Sequence, residues 1–402
     1  MNPLLSPAIR TTLATAMALA CALLPVFLFG ALSGLVREDL GFDAAAVGAG
    51  VTIFFVAAGL GAVPGGWVTE RVGARRAMLL GATIAAAATA GIGLLAQGWW
   101  HAAALLALGG SAVGLIDTGG ARAFADVIAP RRQGLAFGIK EASVPAASMV
   151  AGAAVPLLGL TVGWRPTFAL GLVLLPLVWL VLPPQVRAHA PPPPTVRDRE
   201  RPSRSVLLLV ALGSAAGTGA ATATASFLVP AAAEAGLSVG RAGTLLAVGS
   251  VLSITARILA GHLADRGGLS ELRVTAAMLG VGALGPALLA VQQPAPAIAG
   301  GLVALGAGWG WTGLVFLSAV RADPTAPAAA AGIVLAGLST GGALGPSAFG
   351  ITLEYLGPRA AWGLAAAAMI LGAGATLAAH HGSPRSTGGR RRPAPGSPDE
   401  GR

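Results

Sequence analysis

Long apolar runs, separated by short charged stretches rich in glycine and proline, make up most of this chain. A helix that crosses a bilayer needs roughly 20 mostly apolar residues. By that measure the runs predict six spanning helices near residues 11–36, 45–66, 77–97, 101–121, 134–158 and 164–183. Six more follow near 205–230, 240–261, 272–292, 295–320, 328–353 and 359–379. The first run follows Arg10 and contains Ala18-Leu19-Ala20, a sequence like a signal-peptide cleavage site. It continues apolar to Val36, so it is read as a spanning helix and not as a leader. The expected organisation is a six-helix bundle over 1–183, a cytoplasmic linker over 184–204, a second six-helix bundle over 205–381 and a disordered cytoplasmic tail over 382–402. The linker contains Pro191-Pro192-Pro193-Pro194 and the charged run Arg197 to Arg201, a composition that stays extended and builds no core. The tail, with Arg390-Arg391-Arg392 among Pro, Gly and Ser, has some attraction to anionic lipid as its expected role.

Composition sharpens the class. Of 402 residues 55% are hydrophobic and only 10% charged, and the mean hydropathy is +0.76, which points to an all-α polytopic membrane protein. The 59 glycines and 28 prolines suit membrane helices, where small residues permit close approach and neighbours re-satisfy the backbone around proline. A net charge of +10 would fit a nucleic-acid partner, but the basic residues lie in the short breaks between apolar runs. With a cytoplasmic N-terminus, 20 of the 26 basic residues fall inside and four, Arg37, Arg165, Arg241 and Arg359, outside. Topology therefore accounts for the charge, and both termini are expected to be cytoplasmic in a multi-pass protein of the cell (inner, or plasma) membrane. The expected partners are the lipid bilayer and a small-molecule substrate, with no nucleic acid. The single cysteine, Cys21, excludes an internal disulfide.

The chain repeats itself. Gly66, Glu70, Arg71 and Gly73 stand 195 residues before Gly261, Asp265, Arg266 and Gly268, in the pattern Gly-x-x-x-acid-Arg-x-Gly. Gly41 and Gly48 pair with Gly236 and Gly243 at the same offset, and Gly138-Ile139 and Gly163-x-Arg165 pair with Gly332-Ile333 and Gly357-x-Arg359 at 194. The chain reads as two copies of one module.

The two charged stretches resemble the signature loops of the major facilitator superfamily, with the first copy continuing into Arg75 and Arg76. Glu70 and Val68 depart from the usual Asp and Leu; the second copy keeps Leu263 and Asp265 but lacks the trailing arginines. The resemblance implies twelve transmembrane helices in two pseudo-symmetric bundles, a substrate site between them near the midplane, and a monomer. It also implies that the acid and arginine of each loop gate the cytoplasmic side by bonding across to a neighbouring helix. The stretch Arg131 to Pro145 further resembles the cyanate-permease-like branch, which implies a small, often anionic metabolite, although Glu141 and Ser143 replace that branch's usual Gln and Gly.

Ionisable groups inside membrane helices are costly and are functional candidates by default. Lys140 is the only lysine in the chain and is the leading substrate-binding candidate; its alternative is to snorkel to the headgroups. Glu141 is a candidate for substrate binding and for proton coupling, though adjacent helical residues point about 100° apart and need not share a cavity with Lys140. Asp117 either carries a proton or closes the helix end in a static pair with Arg122. Arg257 is read as structural, tethering the eighth helix near the second signature loop. Trp309, Thr312 and Ser339 are weaker pocket candidates, as are Trp311, Thr218, Thr222, Thr224, Ser226 and Thr340; hydroxyls that bond their own helix backbone explain the serines and threonines nearly as well.

Several classes are excluded. No Gly-x-x-x-x-Gly-Lys loop supports ATP-driven transport by this chain, the scattered histidines offer no metal site, and no nucleophile–base pair suggests an enzyme. No cofactor is expected. The reading is a secondary active transporter of a small polar or anionic organic metabolite, with a proton as candidate coupling ion. The runner-up is a drug/proton antiporter, disfavoured because the fifth helix lacks the Gly-Pro-x-x-Gly-Gly pattern those proteins carry. A sensor on the same scaffold would need a soluble domain for which neither linker nor tail suffices.

Overall fold

The computed structural model describes residues 7–127, 133–182, 204–266, 270–322 and 327–382. The expected linker, apart from Arg204, and the tail beyond Gly382 lie outside the described residues, as do Arg131, Arg132 and Gly268. Among the described residues all regular structure is helical. The first crossing is α1 (Pro7–Ala31), followed by α2 (Ser33–Leu40). Next come α3 (Ala44–Val72), α4 (Ala74–Leu95) and α5 (Trp99–Val127). The fifth crossing consists of α6 (Gln133–Glu141), α7 (Ser143–Ala154) and a π-helical turn (Val155–Gly159), and the sixth of α8 (Trp164–Thr167) and α9 (Leu170–Val181). In the second half, α10 (Arg204–Glu234) and α11 (Val239–Arg266) precede α12 (Glu271–Gly282) with α13 (Leu284–Leu289). The chain ends with α14 (Pro294–Trp309) and α15 (Thr312–Ala322), then α16 (Pro327–Leu356) and α17 (Pro358–Gly382). Among the described residues twelve helical spans are long and apolar enough to cross a membrane, as the run lengths predict.

Two differences from the sequence expectation have clear causes. Some runs predicted as single helices are interrupted, and the interruptions at Ala142 and Ala283 each precede a proline, Pro145 and Pro286, by three residues. A proline removes the N–H that would bond the carbonyl four residues back, and its ring crowds that carbonyl. The first charged stretch is also less of a turn than its composition suggests. α3 stays helical through Val72, α4 begins at Ala74, and the reversal is confined to Gly73 at φ +85°.

The repeated glycines explain themselves in this geometry. Gly41 (φ +68°) and Gly236 (φ +101°) form one repeat pair, Gly163 (φ +89°) and Gly357 (φ +83°) another. Each sits at a helix junction in a backbone region that side chains disfavour, so the same local constraint was kept in both copies.

Two long seams join the halves. In one, α6 and α7 lie against α11: a Cβ on Gly152 would meet the Ala247 nitrogen at 2.7 Å, and one on Gly138 the Arg257 carbonyl at 2.9 Å. In the other, α3 lies against α16, with Gly48 pressed on the Pro346 carbonyl and Phe55 on Gly342. The repeat offsets of 195 and 194 relate the contact Gly243–Gly152 to the contact Gly48–Pro346, so the seams are pseudo-symmetric. Such close backbone approach is how membrane helices gain packing energy without a hydrophobic driving force between them.

Candidate functional site

The interruption of the fifth crossing places its two charged residues at a helix end. Because Pro145 has no N–H, the carbonyl of Glu141 loses its intrahelical donor. Arg257, on α11 of the other half, replaces that donor: its Nη1 donates to the Glu141 carbonyl at 2.6 Å. Ser143 donates its hydroxyl to the Lys140 carbonyl at 2.6 Å, completing the break. A backbone defect in one half is thus repaired by a charged side chain of the other.

The side chains form a line of alternating charge. Lys140 Nζ lies 3.0 Å from Asp117 Oδ1 on α5 and 3.5 Å from Glu141 Oε1. Glu141 Oε2 in turn lies 3.6 Å from Arg257 Nη1. Side-chain exposure falls along the line, from 21% at Asp117 and 14% at Lys140 to 9% at Glu141 and 0% at Arg257. The second half supplies the surroundings. Thr312 donates to Glu141 Oε2 at 3.4 Å, Lys140 stands 5.6 Å from the Phe316 ring centroid, and Arg257 stands 5.5 Å from that of Trp309. Trp309 meets Phe27 of α1 edge-on at 5.7 Å. Two acids and two bases leave the line with no net charge, which makes its burial tolerable. Its unfinished part is on the donor side: Arg257 Nε and Nη2 are buried and have no hydrogen-bond partner among the described residues, whereas Asp117 Oδ1, which also has no hydrogen bond there, keeps its ion pair with Lys140.

Of the sequence candidates, the structure brings together Asp117, Lys140, Glu141, Thr312 and Trp309. Glu141 does share surroundings with Lys140, its Oε1 lying 3.5 Å from the ammonium. Asp117 pairs with Lys140 and not with Arg122, which is exposed. Arg257 does hold the eighth crossing, but its guanidinium is attached at Glu141 of the fifth crossing. Its depth inside a predicted span, shared with Lys140, is the signal that marks it in the sequence. Ser339 is half-buried on α16, and no hydrogen bond described joins it to the line. Thr222, Thr224 and Thr340 bond their own helix backbones.

The signature stretches lie apart from this cluster. Asp265 Oδ2 accepts from the Leu135 backbone N–H at 2.9 Å, joining α11 to the start of α6, and Oδ1 lies 3.4 Å from Arg321 of α15. Arg321 also pairs with Glu271 of α12 at 2.5 Å. Arg321 and Glu271 escaped the sequence reading, which counted Arg321 for topology alone. Gly66, Glu70, Arg71, Arg75 and Arg76 lie on α3 and α4 beside Gly73, with Arg71 and Arg76 exposed; Gly261 is buried on α11 and Arg266 exposed at its end.

Comparison with known proteins agrees with this architecture. Residues 15–326 match the sequence profile described as Major Facilitator Superfamily. No curated protein matches the chain. Among solved structures it is similar to a bacterial homolog of the human lysosomal transporter Spinster in an inward-facing and occupied conformation. That likeness has a TM-score of 0.63 at 18% identity and covers 92% of this chain and 96% of the other. At this identity it is a likeness of fold.

Proposed function

Because the chain belongs to the Major Facilitator Superfamily and is a multi-pass membrane transporter, we propose that it moves a small polar or anionic organic metabolite by proton-coupled secondary transport. It works as a monomer in the plasma (inner) membrane with both termini cytoplasmic, in the manner of the cyanate-permease-like branch. The two bundles rock about a central site and expose it alternately to each side. The observation that carries this reading is the buried line Asp117–Lys140–Glu141–Arg257, which spans both halves where they meet. Charges so costly to bury do little for stability, so their retention argues for use in the cycle. Lys140 attracts the substrate; Asp117 or Glu141 takes up and releases the proton; Trp309, Thr312 and Ser339 line the site. The acid and arginine residues of the signature stretches gate the cytoplasmic side, and Arg122 is structural.

The test is Lys140→Gln in the purified protein, reconstituted for transport and screened for thermal stabilisation by small organic anions, neutral metabolites and lipophilic cations. A ligand of the folded state raises the melting temperature with its concentration. Anions are expected to stabilise the wild type and not the variant, with transport lowered at least tenfold and folding nearly intact. Equal stabilisation of both proteins by lipophilic cations would sink the metabolite reading in favour of drug/proton antiport.

A further inference from the structure

The unfinished part of the cluster has a specific shape. Arg257 spends Nη1 on the Glu141 carbonyl, where Pro145 holds it in place. Nε and Nη2 remain, fully buried, without a hydrogen-bond partner among the described residues. Together these two nitrogens form the side-on edge of the guanidinium, a fork whose spacing matches the two oxygens of a carboxylate. One turn earlier on the same face of α11, the Ser253 hydroxyl is also buried without a hydrogen-bond partner among the described residues, whereas Ser250 and Thr255 bond their own backbone. Buried donors left unmade are expensive, and a set of them on one face marks a place where an acceptor belongs.

We propose that the side-on edge of Arg257, assisted by Ser253, is the carboxylate subsite of the transporter, and that each carboxylate bound there brings one proton onto Glu141. This rests on the anionic-metabolite reading above and deepens it. The line of charges is balanced when empty, so a monocarboxylate adds one uncompensated negative charge in a poorly solvated place. Protonation of one acid restores neutrality. Glu141 is the acid that loses most, because the incoming carboxylate takes over the positive charge of Arg257 on which it depends. Asp117 keeps Lys140 at 3.0 Å and is the more exposed. The charged groups around Glu141 are Lys140 on its own helix, Arg257 on α11 and, beyond Lys140, Asp117 on α5. α15 offers the Thr312 hydroxyl, with Arg321 turned away toward Asp265 and Glu271. α1 supplies no charged contact to Glu141 among the described residues. The balance is simple: one anion and one proton bind, the cluster stays neutral, and transport is electroneutral.

The experiment measures binding of acetate, pyruvate and benzoate to the purified full-length protein by thermal shift between about pH 5.5 and 7.5, with acetamide and benzamide as uncharged controls. In the wild type, carboxylate affinity is expected to strengthen about tenfold for each unit the pH falls, the slope of one coupled proton. In Glu141→Gln, which already carries the neutral form, binding is expected to be at least as tight and independent of pH. Arg257→Lys keeps the charge and loses the fork; at least a tenfold loss of carboxylate affinity is expected, with the amides binding neither protein. A flat pH profile in the wild type, a sloped one in Glu141→Gln, or unchanged affinity in Arg257→Lys overturns the subsite while leaving the anionic reading in place. Absence of carboxylate binding by every variant overturns both.

Discussion

The two seams between the halves share a backbone frame and differ in chemistry. At Gly243 and Gly152, and again at Gly48 and Pro346, helices from opposite halves approach to backbone contact at positions related by the repeat. Beyond those contacts the resemblance ends. The seam between α6–α7 and α11 continues to Glu141 and Arg257, then to Leu135 and Asp265. In the other copy the positions at the same offsets from Glu141 and Arg257 are Leu335 and Ala62. There the polar contact is uncharged: Thr52 donates to the Ala343 carbonyl and lies 2.7 Å from the Ser347 hydroxyl. Duplication kept the packing on both sides of the axis, and among the described residues the ion pairs between the halves lie on one side. A buried ion pair is a poor stabiliser relative to apolar packing, so this asymmetry points to chemistry and not to stability.

The largest expected effect breaks the charged seam from one side only. Arg257→Leu strands the Glu141 carboxylate and its backbone carbonyl in a buried place, and we expect a loss of about 3–5 kcal/mol in thermal unfolding in detergent. Combining it with Glu141→Met removes the stranded charge and is expected to restore most of that loss while transport stays abolished. Single and double variants equally destabilised would show that the pair acts through packing alone.

A middle-sized effect tests whether the seams are equivalent as packing surfaces. A valine at Gly243 meets the Gly152 carbonyl and Val155, and a valine at Gly48 meets the Pro346 carbonyl. Overpacking of this kind costs about 1–3 kcal/mol, and the two melting temperatures are expected to fall by similar amounts. A clear inequality would show that the seams carry different loads. The smallest effect belongs to the uncharged seam: Thr52→Val removes one hydroxyl clasp at a cost of about 1 kcal/mol, read from the same melting curves, with little change in transport. A loss of transport as large as that of Lys140→Gln would place coupling in this seam too.

Much of the fold was legible before any coordinates. The twelve spans follow from run length, and the repeat glycines mark junctions whose left-handed backbone tolerates few side chains. The interruptions at Ala142 and Ala283 were less visible, since apolar runs look alike whether or not a proline has freed a carbonyl inside them. The site was half legible. Lys140 stands out as the only lysine, and Asp117 and Glu141 as acids in apolar surroundings, but proximity in sequence offers Arg122 as a partner for Asp117 and the signature stretch four to eleven residues on as the neighbour of Arg257.

That division has a physical origin. Crossing number, internal duplication and the turn glycines are local properties, set by the length of a bilayer and by the conformations one residue can adopt, and the chain states them directly. Partnership is not local. Arg257 reaches Glu141 across 116 residues of chain because Pro145 opened a carbonyl in one half and the close approach at Gly138 brought α11 of the other half within reach of it. Only the packing of the two bundles could decide that these charges form one balanced line.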